Sequence, residues 1–204
     1  MATRLYLRSL TSTLGGAGQL SMSTRVGRTS TTAITTAVAS GTNIPVTATA
    51  GGQALTWFSE PITTGFTLSG TVTVNIRGLE SALTVNAGRG VLVERTNNAG
   101  VVQSSILADV TVPTTITEFT TADAANGAAT YTPTSTTFVA GDRIKVTVKI
   151  RNVGVMAAGT ATISYDGPTA AAAGETYIQF TEDFITDLIQ DVPPFEFRGG
   201  GYYG

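Results

Sequence analysis

The sequence predicts an all-β protein: an antiparallel β-sandwich of jelly-roll type with an extended N-terminal arm and a C-terminal tail. Three observations predict it. Apolar residues recur at every second position, most cleanly in VAGDRIKVTVKIRNVG at 139–154. Turn residues return every ~8–12 positions, the spacing of short strands in a sandwich. No part of the central region places apolar residues at helical spacing.

Residues 1–53 are read as the arm. Within it TRLYLRS can make one short strand. The following TSTTAITTAVASGTNIPVTATAGG is rich in Thr, Ala and Gly. Such a stretch buries too little apolar area to offset the entropy of ordering it.

The sandwich is expected over 54–181. ALTWFS opens it, with Trp57 in the core rather than on a sugar-stacking surface. In FTLSGTVTVNIRG, Phe66, Leu68, Val72, Val74 and Ile76 share one face, and Thr67, Ser69, Thr71, Thr73 and Asn75 the other. GVLVERTNNAGVVQSSI reads as a hairpin turning on Asn97-Asn98-Ala99-Gly100. TTITEFT and the segment around Tyr131 are weaker strands. Ala140-Gly141-Asp142 turns into the strand of 143–151, with Ile144, Val146, Val148 and Ile150 on its apolar side. TATISYDGP closes on Asp166-Gly167-Pro168, and ETYIQF is the last core strand.

Residues 182–204 are read as a docking tail. TEDFITDLIQDV is either a short helix or an extended docking segment, and Pro193-Pro194 stops it. Phe195, Phe197, Tyr202 and Tyr203 sit among glycines and are expected to plug pockets on a partner.

Composition excludes much chemistry. The 204 residues contain no histidine and no cysteine. Thiol nucleophiles, thiolate metal sites and imidazole bases are therefore ruled out. The acids of the central region are Glu60, Glu80, Glu94, Asp109, Glu118, Asp123, Asp142, Asp166 and Glu175. They are scattered, and solvated or capping roles are expected for them. The glycine runs NAGRG and GGAG lack the context of a phosphate loop. No catalytic residue, cofactor or metal is expected.

Charge is sparse but uneven, with a net value of −2. Arg4, Arg8, Arg25 and Arg28 make the arm basic, whereas the tail is acidic. Arg143, Lys145, Lys149 and Arg151 line one side of the strand that opened this section. These cations, with the tail aromatics, are the expected partner contacts, and the acidic segment 182–196 is the obvious counterpart for the strand's basic line. Nucleic-acid binding wants more cations interleaved with aromatics. The first residues hold no apolar run of signal-peptide length, and no window is long enough to span a membrane. Neither nucleic acid nor membrane is an expected partner.

The order of pieces from TWFSEPIT through GTVTVNIRGLESALTVNAGRGVLVERTNNAGVV to FVAGDRIKVTVKIRNVGVMAAGTATISYDGPTAAAAGETYIQF resembles a β-sandwich type found in virion structural proteins of tailed bacteriophages. The shared features are a Trp strand, a G-x-V-x-x-N strand followed by E-S, a late G-D-R strand and a Y-D-G-P turn. They cover roughly residues 55–180. The resemblance implies a non-enzymatic head decoration or minor capsid protein, a homo-oligomer located in the virion and bound to other virion subunits through arm and tail. Neck, collar or tail protein is the alternative within that class. A carbohydrate-binding adhesin module is the alternative outside it.

Overall fold

A computed structural model describes residues 2–16, 18–24, 32–38, 44–45, 47–48, 53–54, 56–108, 118–125, 128–152, 157–166 and 176–184. They are all-β, as the alternation predicts, and no described residue is helical. The first strands are β1 (Thr3–Thr11), β2 (Gln19–Ser23), β3 (Thr32–Val38), β4 (Ile44–Pro45), β5 (Thr47–Ala48) and β6 (Gln53–Ala54). Then come β7 (Thr56–Phe58), β8 (Phe66–Leu68), β9 (Val72–Asn75), β10 (Arg77–Glu80), β11 (Ala87–Thr96) and β12 (Val102–Leu107). The last are β13 (Ala124–Ala125), β14 (Ala129–Tyr131), β15 (Thr136–Phe138), β16 (Arg143–Asn152), β17 (Gly159–Tyr165) and β18 (Tyr177–Phe180).

Ten strands form one sheet, in the order β12-β11-β16-β7-β2-β1-β18-β9-β14 with β4 added on β16. A second sheet runs β13-β10-β17-β3. The β8–β15 and β5–β6 pairs complete the fold. Pairing is antiparallel except between β2 and β7. The large sheet curls until its inner faces meet. Leu5 and Leu7 of β1, Val91 and Val93 of β11, Ile144 to Ile150 of β16 and Ile178 and Phe180 of β18 share one core.

The expected faces are found where alternation is longest. Ile144, Val146, Val148 and Ile150 are all fully buried, as are Leu68, Val72, Val74 and Ile76. Each such side chain contributes about 1.5–3 kcal/mol by leaving water. Trp57 is in the core, fully buried. β16 matches β11 residue for residue, from Ala87↔Asn152 to Thr96↔Arg143. The β11–β12 turn forms on Asn97, whose side-chain oxygen accepts the N–H groups of Ala99 and Val101 at 3.0 Å each. Gly100 sits there at φ 80°, where a side chain would be strained. Gly78 has a different task. A Cβ there would lie 2.6 Å from the Thr162 carbonyl oxygen and 2.8 Å from the Phe119 ring.

The N-terminal segment departs from the expected arm. β1 lies inside the large sheet between β2 and β18, with Thr3↔Phe180 and Leu5↔Ile178 in register. The reason is local. TRLYLRS alternates cleanly, and its two leucines add to the core. The Thr/Ala-rich stretch also yields a strand, since β3 edges the second sheet on β17 over seven residue pairs. The tail begins in the core too. Phe184 is buried and stacks on Phe66 with ring centroids 4.5 Å apart. Arg25, Arg28, Phe195, Phe197, Tyr202 and Tyr203 lie outside the described residues, as does the side chain of Arg151.

Candidate functional site

A cleft of about 390 Å³ opens beside β1 and β18. Ala2, Thr3, Arg4, Tyr6, Thr24, Gln179, Asp183 and Phe184 line it. Alternation places these groups. Leu5 and Leu7 point into the core, so Arg4 and Tyr6 point outward, opposite Gln179 and Tyr177 of β18. Gln179 Oε1 accepts from Arg4 Nε at 2.9 Å and from Nη2 at 2.6 Å. The same guanidinium lies 4.0 Å from the centroid of the Tyr177 ring. Tyr6 meets Tyr177 edge-on, with centroids 6.0 Å apart. The Arg4 guanidinium is thus held between an amide and an aromatic ring, and Asp183 lines the same cleft.

Below this cleft along β1, Arg8 is buried. The register of β1 on β2 shifts between Leu7 and Thr11, the stretch that contains Arg8. Its Nε meets Asp166 Oδ1 at 2.5 Å. Asp166 Oδ2 accepts the Ser9 N–H at 3.0 Å and also the Ser9 hydroxyl. The Arg8 carbonyl accepts Trp57 Nε1–H at 3.0 Å. Tyr165 stands edge-on to Trp57. Burial first, then the Asp166 charge, pushes its phenol up to about 12, so it stays neutral.

The basic line of β16 is largely absorbed inside the fold. Arg143 is buried, donating to Thr13 Oγ1 at 2.9 Å and to the Ser59 carbonyl at 3.0 Å, with Glu60 Oε2 at 3.6 Å. Lys145 Nζ donates to Glu94 Oε2 at 2.8 Å, directly across the β11–β16 ladder. Lys149 lies on the same side and is half-buried. The counterparts of Arg143 and Lys145 are thus acids of the sandwich itself.

Several acids expected in solvent are buried, namely Glu60, Glu80, Asp142 and Asp166. Asp142 does cap its turn. Its Oδ2 accepts the Val139 N–H at 2.8 Å and Arg95 Nε at 2.7 Å. Glu80 is the most unusual. Its Oε2 accepts the Ala87 N–H at 2.9 Å, while its Oε1 has no hydrogen-bond partner among the described residues. The group it meets is another carboxyl, Glu118, which bridges to Gly88. Burial, then the Glu118 charge against the opposing Ala87 N–H, holds the Glu80 carboxyl above the usual carboxylate range. Sequence parity carried a signal for this. Glu80 continues the inward series Val72, Val74, Ile76, Gly78.

No protein-family profile matches the sequence. No curated protein matches it either. Solved structures do share the fold. An aminopeptidase from a marine sediment Thaumarchaeota archaeon superposes with a TM-score of 0.55 at 13% identity, covering 91% of this chain and 37% of that one. A CocE/NonD family hydrolase from Staphylococcus aureus superposes at 0.51 with 9% identity, over 91% of this chain and 37% of its own. The chain therefore spans little more than a third of the length of either.

These likenesses correct the kinship expected from the sequence. These two solved structures are of hydrolases, not of virion proteins of tailed phages. The readings as head decoration, minor capsid, neck, collar or tail protein lose their support, and so does the expectation of a role apart from enzymes. The physical reason lies in the residues that carried the resemblance. Trp57 fills the core, Gly141-Asp142 makes a turn, and Asp166 neutralises a buried arginine. Those positions describe how a β-sandwich is built, and building rules are shared across many roles.

Proposed function

We propose that this chain is the β-sandwich unit of a hydrolase, working beside a unit that carries the reactive groups. The observation behind it is the fold shared, over 91% of the chain, with about a third of an aminopeptidase and of a CocE/NonD family hydrolase. The chemistry of the chain fits that division of labour. It has no histidine, so none of its serines can draw on an imidazole base. The Ser9 hydroxyl is spent on Asp166, beside a buried ion pair. The cleft at Arg4 offers a polar surface for contact with substrate.

The test is an assay on protein purified from the cells that make it, with whatever accompanies it. Hydrolysis of p-nitrophenyl esters or aminoacyl p-nitroanilides should co-elute with this chain and vanish when the chain is immunodepleted. Material that contains the chain and cleaves neither substrate class overturns the reading.

A further inference from the structure

We propose that the cleft at Arg4 binds the carboxylate of an amino acid or short peptide. This goes beyond the hydrolase reading and stands without it.

The first observation is an unbalanced charge. Arg8, Arg77, Arg95 and Arg143 meet Asp166, Asp123, Asp142 and Glu60 at 2.5, 3.0, 2.7 and 3.6 Å. Arg4 meets no carboxylate among the described residues. It is held instead by a neutral amide and an aromatic ring. Those contacts fix the plane of the guanidinium and leave its Nη1 donors unused. A planar cation with its orientation set in advance is suited to a carboxylate, which it binds through paired N–H donors. Little side-chain entropy is then left to lose on binding.

The second observation is what surrounds it. The Tyr6 and Thr24 hydroxyls line the same cleft and have no hydrogen-bond partner among the described residues. Both can donate to a second carboxylate oxygen or accept from a peptide N–H. Asp183 lines the same cleft, and an acid beside Arg4 repels a dianion more strongly than a single carboxylate.

Calorimetry on the full chain tests this with dialanine and dialanine amide. Dialanine is expected to bind, and the amide to bind about ten-fold more weakly because a charge-assisted hydrogen bond is lost. Arg4→Gln should match the effect of the amide while keeping the thermal midpoint. If that variant fails to fold, the acid-versus-amide ratio on the unmodified protein decides. No heat of binding at millimolar dialanine, or equal affinity for acid and amide, overturns the proposal. None of these measurements needs turnover, so their failure leaves the hydrolase reading untouched.

Discussion

Asp166 and Glu80 are both buried carboxyls near strand ends, and they are kept in opposite ways. Asp166 faces Arg8 at 2.5 Å and takes two further hydrogen bonds from Ser9. Glu80 faces Glu118, with one oxygen on the Ala87 N–H and the other without a hydrogen-bond partner among the described residues. The first site neutralises an anion with a cation. At the second, burial first and then the Glu118 charge hold the carboxyl above its usual range. The difference shows that a buried carboxyl's charge is compensated where a cation faces it and penalised where another acid does.

The largest effect that can break this comparison is at Asp166. Asp166→Ala leaves the Arg8 guanidinium buried without a counter-charge, at a cost of about 3–5 kcal/mol. Denaturant unfolding measures it, and a loss below about 1 kcal/mol would show that Arg8 relaxes into water.

Glu182 supplies an intermediate case. Its Oε1 accepts the N–H groups of Ser69 and Gly70 at 2.8 and 2.6 Å. Burial pushes this carboxyl up, but those N–H groups and the Thr181 hydroxyl outweigh it and hold the group below the usual range. Glu182→Ala should cost about 0.5–1.5 kcal/mol, the net worth of hydrogen bonds whose donors water can still reach.

The pH dependences of the two glutamates then have opposite signs. For Glu182 the folded state holds its proton less tightly than the unfolded state. Its contribution is complete above the ordinary carboxylate value and fades as pH falls through the depressed one. For Glu80 the folded state holds its proton more tightly. Stability is complete below the ordinary value and declines as pH rises toward the raised one. Glu80→Gln keeps an acceptor for Ala87 and provides a donor toward Glu118, so it should flatten that decline. Unfolding curves across a pH series check this, and an unchanged slope would overturn it. The smallest effect is at the lattice of surface charge. Lys145→Ala, opposite Glu94, should cost under about 1 kcal/mol, read as a shift in melting midpoint.

How much of this was legible in the sequence follows from range. The inward faces of β9 and β16 and the Asn97–Gly100 turn depend on neighbours a few residues away, and the alternation showed them. The buried state of Glu80 was visible as parity, had the series from Val72 been continued past Ile76. The pairings of Arg8 with Asp166 and of Arg143 with Glu60 join residues 158 and 83 positions apart by residue number. No local pattern marks such pairs, so the cations read as outward-facing. β1 reads as part of an arm because one of its two partner strands, β18, lies at the far end of the sequence. The cleft arose from the same long-range pairing and carried no signal of its own beyond the outward parity of Arg4 and Tyr6.

That pairing also dictates when the protein can fold. β18 sits between β1 and β9, so the ten-stranded sheet stays split into two pieces until Phe180 has left the ribosome. Until then β1 keeps one open edge. The nascent polypeptide must shield that edge, or be shielded by a chaperone, until β18 has been made.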